Sequence, residues 1–241
     1  MTSDVAICRG HPSYVWRDGQ ERRLGMVRRY VALEGARILD VGCGLGMYTE
    51  AFRRYSPYVY GIEVELERAA AAIPRTAGVA QAAGEAIPFA DHTFDLVFSH
   101  EVLEHVDDDR RMVQEMVRVA RRGGRIAIFC PNRLWPFETH GIHWRGQYYF
   151  GNAPLVNYLP DRWRNRLAWH VRVYTRSGLW ALFRHLPVRV VIQRTVYPGF
   201  DNIVARRPAV GRLARALSYQ FEKWPLCDRF GLSHFLVVEK R

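Results

Sequence analysis

Lysine is almost absent from this 241-residue chain. Lys223 and Lys240 are the only two, so the cationic charge rests on arginine, a bias too general to name a partner by itself. No run of about 18 apolar residues occurs, which excludes a transmembrane helix from the expectations. The opening stretch MTSDVAICRGHPSYVWRDGQ lacks the charged-then-apolar pattern of a secretory signal. Cysteine is sparse: Cys8, Cys43, Cys130 and Cys227 stand far apart with no C-x-x-C pair. That spacing argues against a zinc site or a disulfide framework, and a cytoplasmic, reducing compartment is expected. No internal repeat or low-complexity tract is present.

What is there divides in two. Hydrophobic residues make up 49% of the chain, enough for a real core in one large domain or a domain with an elaboration. Residues 1–130 carry 17 Lys/Arg against 18 Asp/Glu, whereas residues 131–241 carry 18 against 6. The second part also holds six of the seven tryptophans. A near-neutral first half therefore precedes a basic, Trp-rich second half.

The first half alternates strand-like and helix-like runs. ARILDVGCGLG (36–46), SPYVYGIEVE (56–65), HTFDLVFSHE (92–101) and GGRIAIFCPN (123–132) read as strands, the last closed by Pro131. MYTEAFRRY, ELERAAAAI and DDDRRMVQEMVRVARRGG read as helices between them. The third has acids at its start, where the helix dipole favours them, and an apolar stripe of Met112, Val113, Met116, Val117 and Ala120. Gly123 is placed to end it. Such alternation implies a parallel sheet covered on both faces, with ligands bound beyond the carboxyl ends of its strands.

The first chemical signal is a glycine turn. In DVGCGLG, Gly42, Gly44 and Gly46 stand where the chain must turn sharply and admit a ligand against bare backbone. About 20 residues on, Glu63 ends the second strand, where an acid accepts hydrogen bonds from both hydroxyls of a ribose. Alone, each is an ordinary turn or a solvated acid; together they favour a nucleoside.

ILDVGCGLG, VYGIEVE, GEAIPFADHTFDLVFSHEVLEHVDD and RVARRGGRIAIFCPN resemble the successive motifs of class I S-adenosylmethionine-dependent methyltransferases. The similar subgroup is methyltransferase type 11, which includes the ubiquinone-pathway enzymes. The resemblance covers about residues 36–132 in unbroken order. It implies a Rossmann-like seven-stranded, mostly parallel sheet with an antiparallel last strand and helices on both faces. It also implies that Asp40 helps hold the methionine amino end, that Gly42 and Gly44 admit the cofactor, and that Glu63 binds its ribose. The acid that usually faces the adenine is replaced by Ala83, which leaves Glu85 or the backbone near Ala86 for that contact. Ser99 and His100 would lie near the transferable methyl. A weak third strand is expected around Gly78–Ala82.

HEVLEHV (100–106) admits three readings. If a helix starts here, Glu101, Glu104 and His105 share one face at i, i+3 and i+4. They then form a plain helix start, or they are ligands for Mg²⁺ or Mn²⁺. A similar E-x-x-E-H set with a later histidine is used by small-RNA 2′-O-methyltransferases, and the ubiquinone-pathway O-methyltransferases are similar. PNRLWPFETHGIHWRG (131–146) offers Glu138, His140 and His143 at the same rim; the metal set would be Glu101, Glu104, His105 and one of the two histidines, such as His143. In the third reading His140 or His143 is a metal-free general base, its ordinary pKa near 6.5 suiting proton removal from a hydroxyl.

In the basic half, YTRSGLWALFRHL (174–186) reads as a helix, with PVRVVIQRTVY (187–197) and GLSHFLVVEKR (231–241) as strands. These would complete a single domain spanning residues 1–241, its core formed by 36–132, 174–197 and 231–241. Residues 133–173 and 198–230 are extra and expected to form a lid. In the first, Trp163 and Trp169 alternate with Arg162, Arg164, Arg166 and Arg172. In the second, Leu213, Leu217, Tyr219 and Phe221 stand among Arg212, Arg215 and Lys223. A packed lid, docking at a membrane interface, and a phosphate-bearing partner such as RNA all suit this composition.

The expected function is O-methylation of a small or lipid-linked hydroxyl compound such as a phenol, quinol or sugar, with S-adenosylmethionine as cofactor. RNA methylation ranks lower because no separate RNA-binding module is visible. A cofactor-binding scaffold without catalysis is the remaining alternative.

Overall fold

The computed structural model describes residues 16–241; Cys8 and most of the opening stretch lie outside the described residues. Helix α1 (Asp18–Arg28) leads into β1 (Ile38–Val41), α2 (Met47–Phe52), β2 (Val59–Glu63), α3 (Leu66–Ala72) and β3 (Gly78–Gln81). Next come β4 (Phe94–His100), α4 (Asp109–Val119) and β5 (Ala120–Pro131). Short strands β6 (Phe137–Glu138), β7 (Ile142–Trp144), β8 (Gln147–Tyr149) and β9 (Ala153–Pro154) follow, then helix α5 (Asp161–Leu167). The chain returns to the sheet through α6 (Arg176–Ala181) and β10 (Val188–Val196), leaves it for α7 (Asp201–Arg206) and α8 (Pro208–Phe221), and ends in β11 (Ser233–Lys240).

Seven strands form one sheet in the order β10-β11-β5-β4-β1-β2-β3. The five from β3 to β5 are parallel. Strand β11 runs antiparallel to both β5 and β10. Side chains alternate across the sheet with the period of two that strands impose. Leu39 and Val41 enter one core cluster with Val97, Ile126 and the apolar side of α4. Ile38 enters the other with Leu96, Phe98, Phe129, Leu24 and Val27 of α1, and Phe52 of α2. From β1 the chain order runs outward in both directions, so β1 and β4 flank the point where a crevice opens beyond their carboxyl ends.

The weak third strand forms as Gly78–Gln81, pairing Tyr60–Glu63 residue by residue. Three expectations are corrected. Residues 101–108 form turns rather than the start of a helix. Glu101 has a left-handed backbone (φ +54°), which breaks any helical path at the first step. The helix waits for Asp108, whose carboxylate accepts from the Arg111 N–H at 2.9 Å and so caps α4. At the other end α4 stops at Val119, and Ala120 already pairs with Phe94. Gly123 has the left-handed φ (+73°) of a helix-ending residue, but it sits in an irregular stretch of β5. The helix expected over 174–186 is regular only to Ala181. Beyond it, Leu182, Phe183 and Leu186 donate to residues three back, the tighter turn of a 3₁₀ path.

Candidate functional site

A cavity of about 930 Å³ opens at the crevice. Its walls come from the turn after β1, the ends of β2 and β4, the loops after β3 and β4, and residues 139–150.

The β1 turn has to be glycine. Gly42 is left-handed (φ +73°), and a Cβ there would lie 2.5 Å from the Val102 side chain. Gly44 and Gly46 are left-handed as well, with φ +55° and +82°. The Gly44 N–H donates to Glu63 Oε2 at 2.9 Å and the Glu65 N–H to Oε1 at 3.1 Å. Two backbone donors thus fix the Glu63 carboxylate on the cavity wall. Asp40 lies behind the wall, 3% exposed. Burial, reinforced by the charge on Glu63, pushes its carboxyl up to about 8. The charged form of an acid raised by burial and a neighbouring carboxylate is the form a nearby positive charge would favour.

Of the other residues expected near the cofactor, Glu85 reaches the wall, but its Oε1 accepts from the N–H groups of Asp107 (2.8 Å) and Asp108 (3.3 Å). It ties the loop after β3 to the loop after β4. Ala83 and Gly84 line the cavity, whereas Ala86 is exposed and off the wall. Ser99 is buried in β4 and also off the wall, its hydroxyl without a partner.

His100 does reach the cavity. Its ring lies 4.8 Å from that of Tyr48, and among the described residues the buried His100 Nε2 and Tyr48 hydroxyl have no hydrogen-bond partner. Burial, helped by the charge of Arg23, pushes His100 down to about 4, so the imidazole is neutral.

The residues of HEVLEHV are gathered by a loop. Glu101 lines the cavity, and its Oε1 accepts from the Ser233 hydroxyl at 2.7 Å. Burial opposes its charge, yet His100, Arg23 and His140 around it draw its carboxyl below the ordinary range. Glu104 is 1% exposed, and among the described residues neither of its carboxylate oxygens has a hydrogen-bond partner. Burial and the adjacent Glu101 charge push its carboxyl well above the ordinary range. His140 Nε2 stands 3.8 Å and His105 Nε2 3.9 Å from Glu104 Oε1. Glu104, His105 and His140 each offer a ligand atom within 4.8 Å of the others. Two nitrogens and a carboxylate this close together are a donor set for a divalent ion.

Supports stand behind this trio. His140 Nδ1 lies 3.1 Å from Glu138 Oε1, which also accepts the His140 N–H at 3.0 Å. The other Glu138 oxygen accepts from the buried Arg164 guanidinium at 2.8 Å. Burial alone would raise Glu138, but the bonds from His140 and the charge of Arg164 hold it down at about 2. A carboxylate on Nδ1 leaves Nε2 as the free face of His140, the arrangement that orients metal-binding imidazoles. Arg172 pins the loop from outside, its N–H on the Glu104 carbonyl at 3.0 Å and its guanidinium on the carbonyls of Val106 and Asp107.

The trio differs from the sequence expectation in two members. Among the described residues, the structure brings His140 rather than His143 to Glu104, and Glu101 stands outside the group. His143 packs on Tyr148, Trp169 and His170, off the cavity wall. It follows His140 by three residues, but the left-handed Gly141 (φ +82°) turns the chain between them. Arg164 was not legible as part of the site, since nothing local links it to Glu138, 26 residues away.

Comparison with known proteins bears on this geometry. Residues 39–128 match the family model described as a methyltransferase domain. An uncharacterized methyltransferase of Mycobacterium sp. (strain JLS) is 38% identical over 153 residues, 63% of this chain and 58% of that protein. One of Mycolicibacterium gilvum (strain PYR-GCK) is 37% identical over 118 residues, 46% of each. The chain therefore spans about half the length of the curated relatives it matches. Among solved structures, an S-adenosylmethionine-dependent methyltransferase from Mesorhizobium loti is similar, with TM-score 0.63 and 17% identity over 92% of this chain and 99% of that one. The [4+2]-cyclase SpnF gives TM-score 0.60 and 19% identity over 96% and 84%. These two likenesses establish the fold, and the second shows that the fold also hosts other chemistry.

Proposed function

We propose, from the premise that residues 39–128 are a methyltransferase domain of the class I S-adenosylmethionine-dependent family, that this protein transfers a methyl group to a hydroxyl oxygen of a small or lipid-linked acceptor. The observation that supports the oxygen acceptor is the Glu104 carboxylate, buried without a hydrogen-bond partner among the described residues, beside His105 and His140, which line the cavity.

S-adenosylmethionine supplies an activated sulfonium methyl, and a divalent ion held by Glu104, His105 and His140 would supply Lewis acidity toward the acceptor oxygen. The chain does the rest by positioning. Glu63, fixed by Gly44 and Glu65, accepts hydrogen bonds from the ribose. Asp40, buried behind the wall that Glu63 forms, would have its charged form favoured by a cationic ligand in the cavity. Tyr48 and His100 present unpartnered groups to the acceptor, and the low pKa of His100 makes it a neutral hydrogen-bonding group rather than a strong base. Residues 139–150 cover the cavity and keep water from competing. In line with this, Glu138 acts on His140 and is a positioning residue. Two imidazoles and one carboxylate suit Mn²⁺ or Zn²⁺ better than Mg²⁺, which prefers oxygen ligands.

Calorimetry tests the reading. S-adenosylhomocysteine should bind in the micromolar range with or without metal. Mn²⁺ should bind, Glu104→Ala should abolish that heat, and Glu138→Gln should weaken it about 10- to 100-fold. Because the Glu104 carboxyl is raised, Mn²⁺ binding should release a proton and strengthen as the pH rises. Failure of S-adenosylhomocysteine to bind removes the methyl-transfer reading. Cofactor binding with no Mn²⁺ heat removes the metal and leaves the transfer to be tested with acceptors that need none.

A further inference from the structure

Helix α8 is oriented inside out. Its side toward the body carries Gly211, Arg215, Ser218 and Glu222, every one bound by polar contacts or close backbone packing. Arg215 pairs with Asp201 (2.6 Å) and Asp18 (2.8 Å) and donates to the Gly199 carbonyl. The Ser218 hydroxyl donates to the Pro198 carbonyl at 2.9 Å, and Glu222 pairs with Arg22 and accepts the Tyr197 N–H. A Cβ on Gly211 would fall 2.4 Å from the Val204 backbone.

The solvent side carries the apolar residues. Val210, Leu213, Leu217 and Phe221 recur at three- and four-residue intervals, one stripe of a 3.6-residue helix, and Trp224 follows just past its end. They are 57, 63, 53, 42 and 59% exposed, and Leu226 just beyond is 85% exposed. A water-facing helix buries such a stripe or does without it. A row of rings leads on from the stripe: Phe221 lies 6.3 Å from Tyr197, Tyr197 6.1 Å from Trp135, and Trp135 6.0 Å from Phe137, ring to ring. Phe137 precedes the Glu138 that holds His140.

The charges beside the stripe say what covers it. Arg212 and Lys223, each next in the chain to one of the exposed apolar residues, are exposed and have no ion pair among the described residues. Arg212 precedes Leu213 within α8 and Lys223 precedes Trp224 just past the helix end. A twofold interface needs a self-complementary patch, and residues 208–226 hold a single acid, Glu222, which is already paired with Arg22, so a second copy offers these cations no partner on this face. An anionic bilayer surface accepts both features at once: apolar side chains enter the acyl boundary and arginines meet phosphates.

We infer that the α8 stripe, with Trp224 and Leu226, docks this protein on anionic phospholipid membranes. Helix α1 carries Gln20 on the cavity wall and is strapped to α7 and α8 by Arg215–Asp18 and by the Gly19 N–H on Asp201 (3.2 Å). Docking through α8 would tether to the membrane the helix pair that holds α1, which contributes Gln20 to the cavity wall. The docking stands without the methyl-transfer reading, because its readout is binding.

The test is flotation of the full chain with vesicles of phosphatidylcholine alone and of phosphatidylcholine with phosphatidylglycerol. The protein should float with the anionic vesicles, less so at high salt, and little with the neutral ones. Leu213→Ser with Leu217→Ser should cut binding at least about tenfold. Its circular dichroism and Tm should stay unchanged, since both side chains already face solvent. Arg212→Ser with Lys223→Ser should remove much of the salt-sensitive part. The inference is overturned if wild type ignores anionic vesicles, or if the double leucine variant floats as well as wild type. It is equally overturned if wild type ignores vesicles but is retained by RNA, or if wild type is a dimer that the leucine variant turns into a monomer.

Discussion

Helices α4 and α8 look alike in sequence and face opposite ways. Both are amphipathic over three or more turns. In α4, Met112, Val113, Met116 and Val117 point into the core against β4 and β5. In α8 the equivalent stripe faces out, and the body is gripped by Arg215, Ser218 and Glu222. Periodicity says that a helix has an apolar side; it does not say where that side goes. For α4 the direction follows from topology, because a crossover between two adjacent parallel strands must lie on the sheet and bury whatever apolar side it has. Helix α8 belongs to an excursion between two antiparallel strands, with no sheet face left to cover. Its orientation is set by specific polar partners, several of them on α1.

The largest expected effect lies on the inward side of this comparison. Met116 is fully buried in the main cluster, so Met116→Ala should lower stability by about 2–5 kcal/mol, read from denaturant unfolding. A loss below about 1 kcal/mol would mean that the site collapses around the missing atoms and that α4 is not packed as described.

The same comparison explains what could be read beforehand. The strands, the glycine turn and Glu63 were legible because each depends on residues within a few positions: a buried strand, a bend only glycine tolerates, an acid at a strand end. HEVLEHV was legible as chemistry but not as shape. Its i, i+3, i+4 spacing suggested a helical face, whereas Glu101 starts a turn and the cluster is closed from far away. His140 arrives after a whole strand, and the Glu138–Arg164 and Arg172–Glu104 contacts span 26 and 68 positions. Such pairings carry no local periodic signal. A hint lay in FETH, where an acid two residues before a histidine can fold back on it. Choosing His140 over His143 needed the left-handed turn at Gly141, which spacing alone does not reveal.

A mid-sized effect should come from the side by which α8 is held. Gly211 packs on the backbone of Val204, at the junction of α7 and α8. Gly211→Ala improves intrinsic helix propensity by about 1 kcal/mol, yet the added methyl meets backbone that cannot rotate away. The net outcome should be destabilisation of about 1–3 kcal/mol, the usual cost of overpacking. A gain in Tm would show that α7 and α8 part easily, and the polar grip assigned to α8 would then be too weak to orient it.

The smallest effect closes the comparison. Leu217 and Met116 occupy equivalent apolar positions of their helices, but Leu217 is 53% exposed. Truncation there removes little burial and gains a slightly better helix former, so Leu217→Ala should change stability by no more than about 0.5 kcal/mol. The same change should still weaken vesicle binding, because the side chain that contributes nothing to the isolated fold is the one that a membrane would bury. A loss of several kcal/mol in free solution would instead place Leu217 inside a self-contact of the chain. Separating the two readouts on a single residue distinguishes a stripe that stabilises the protein from one that positions it.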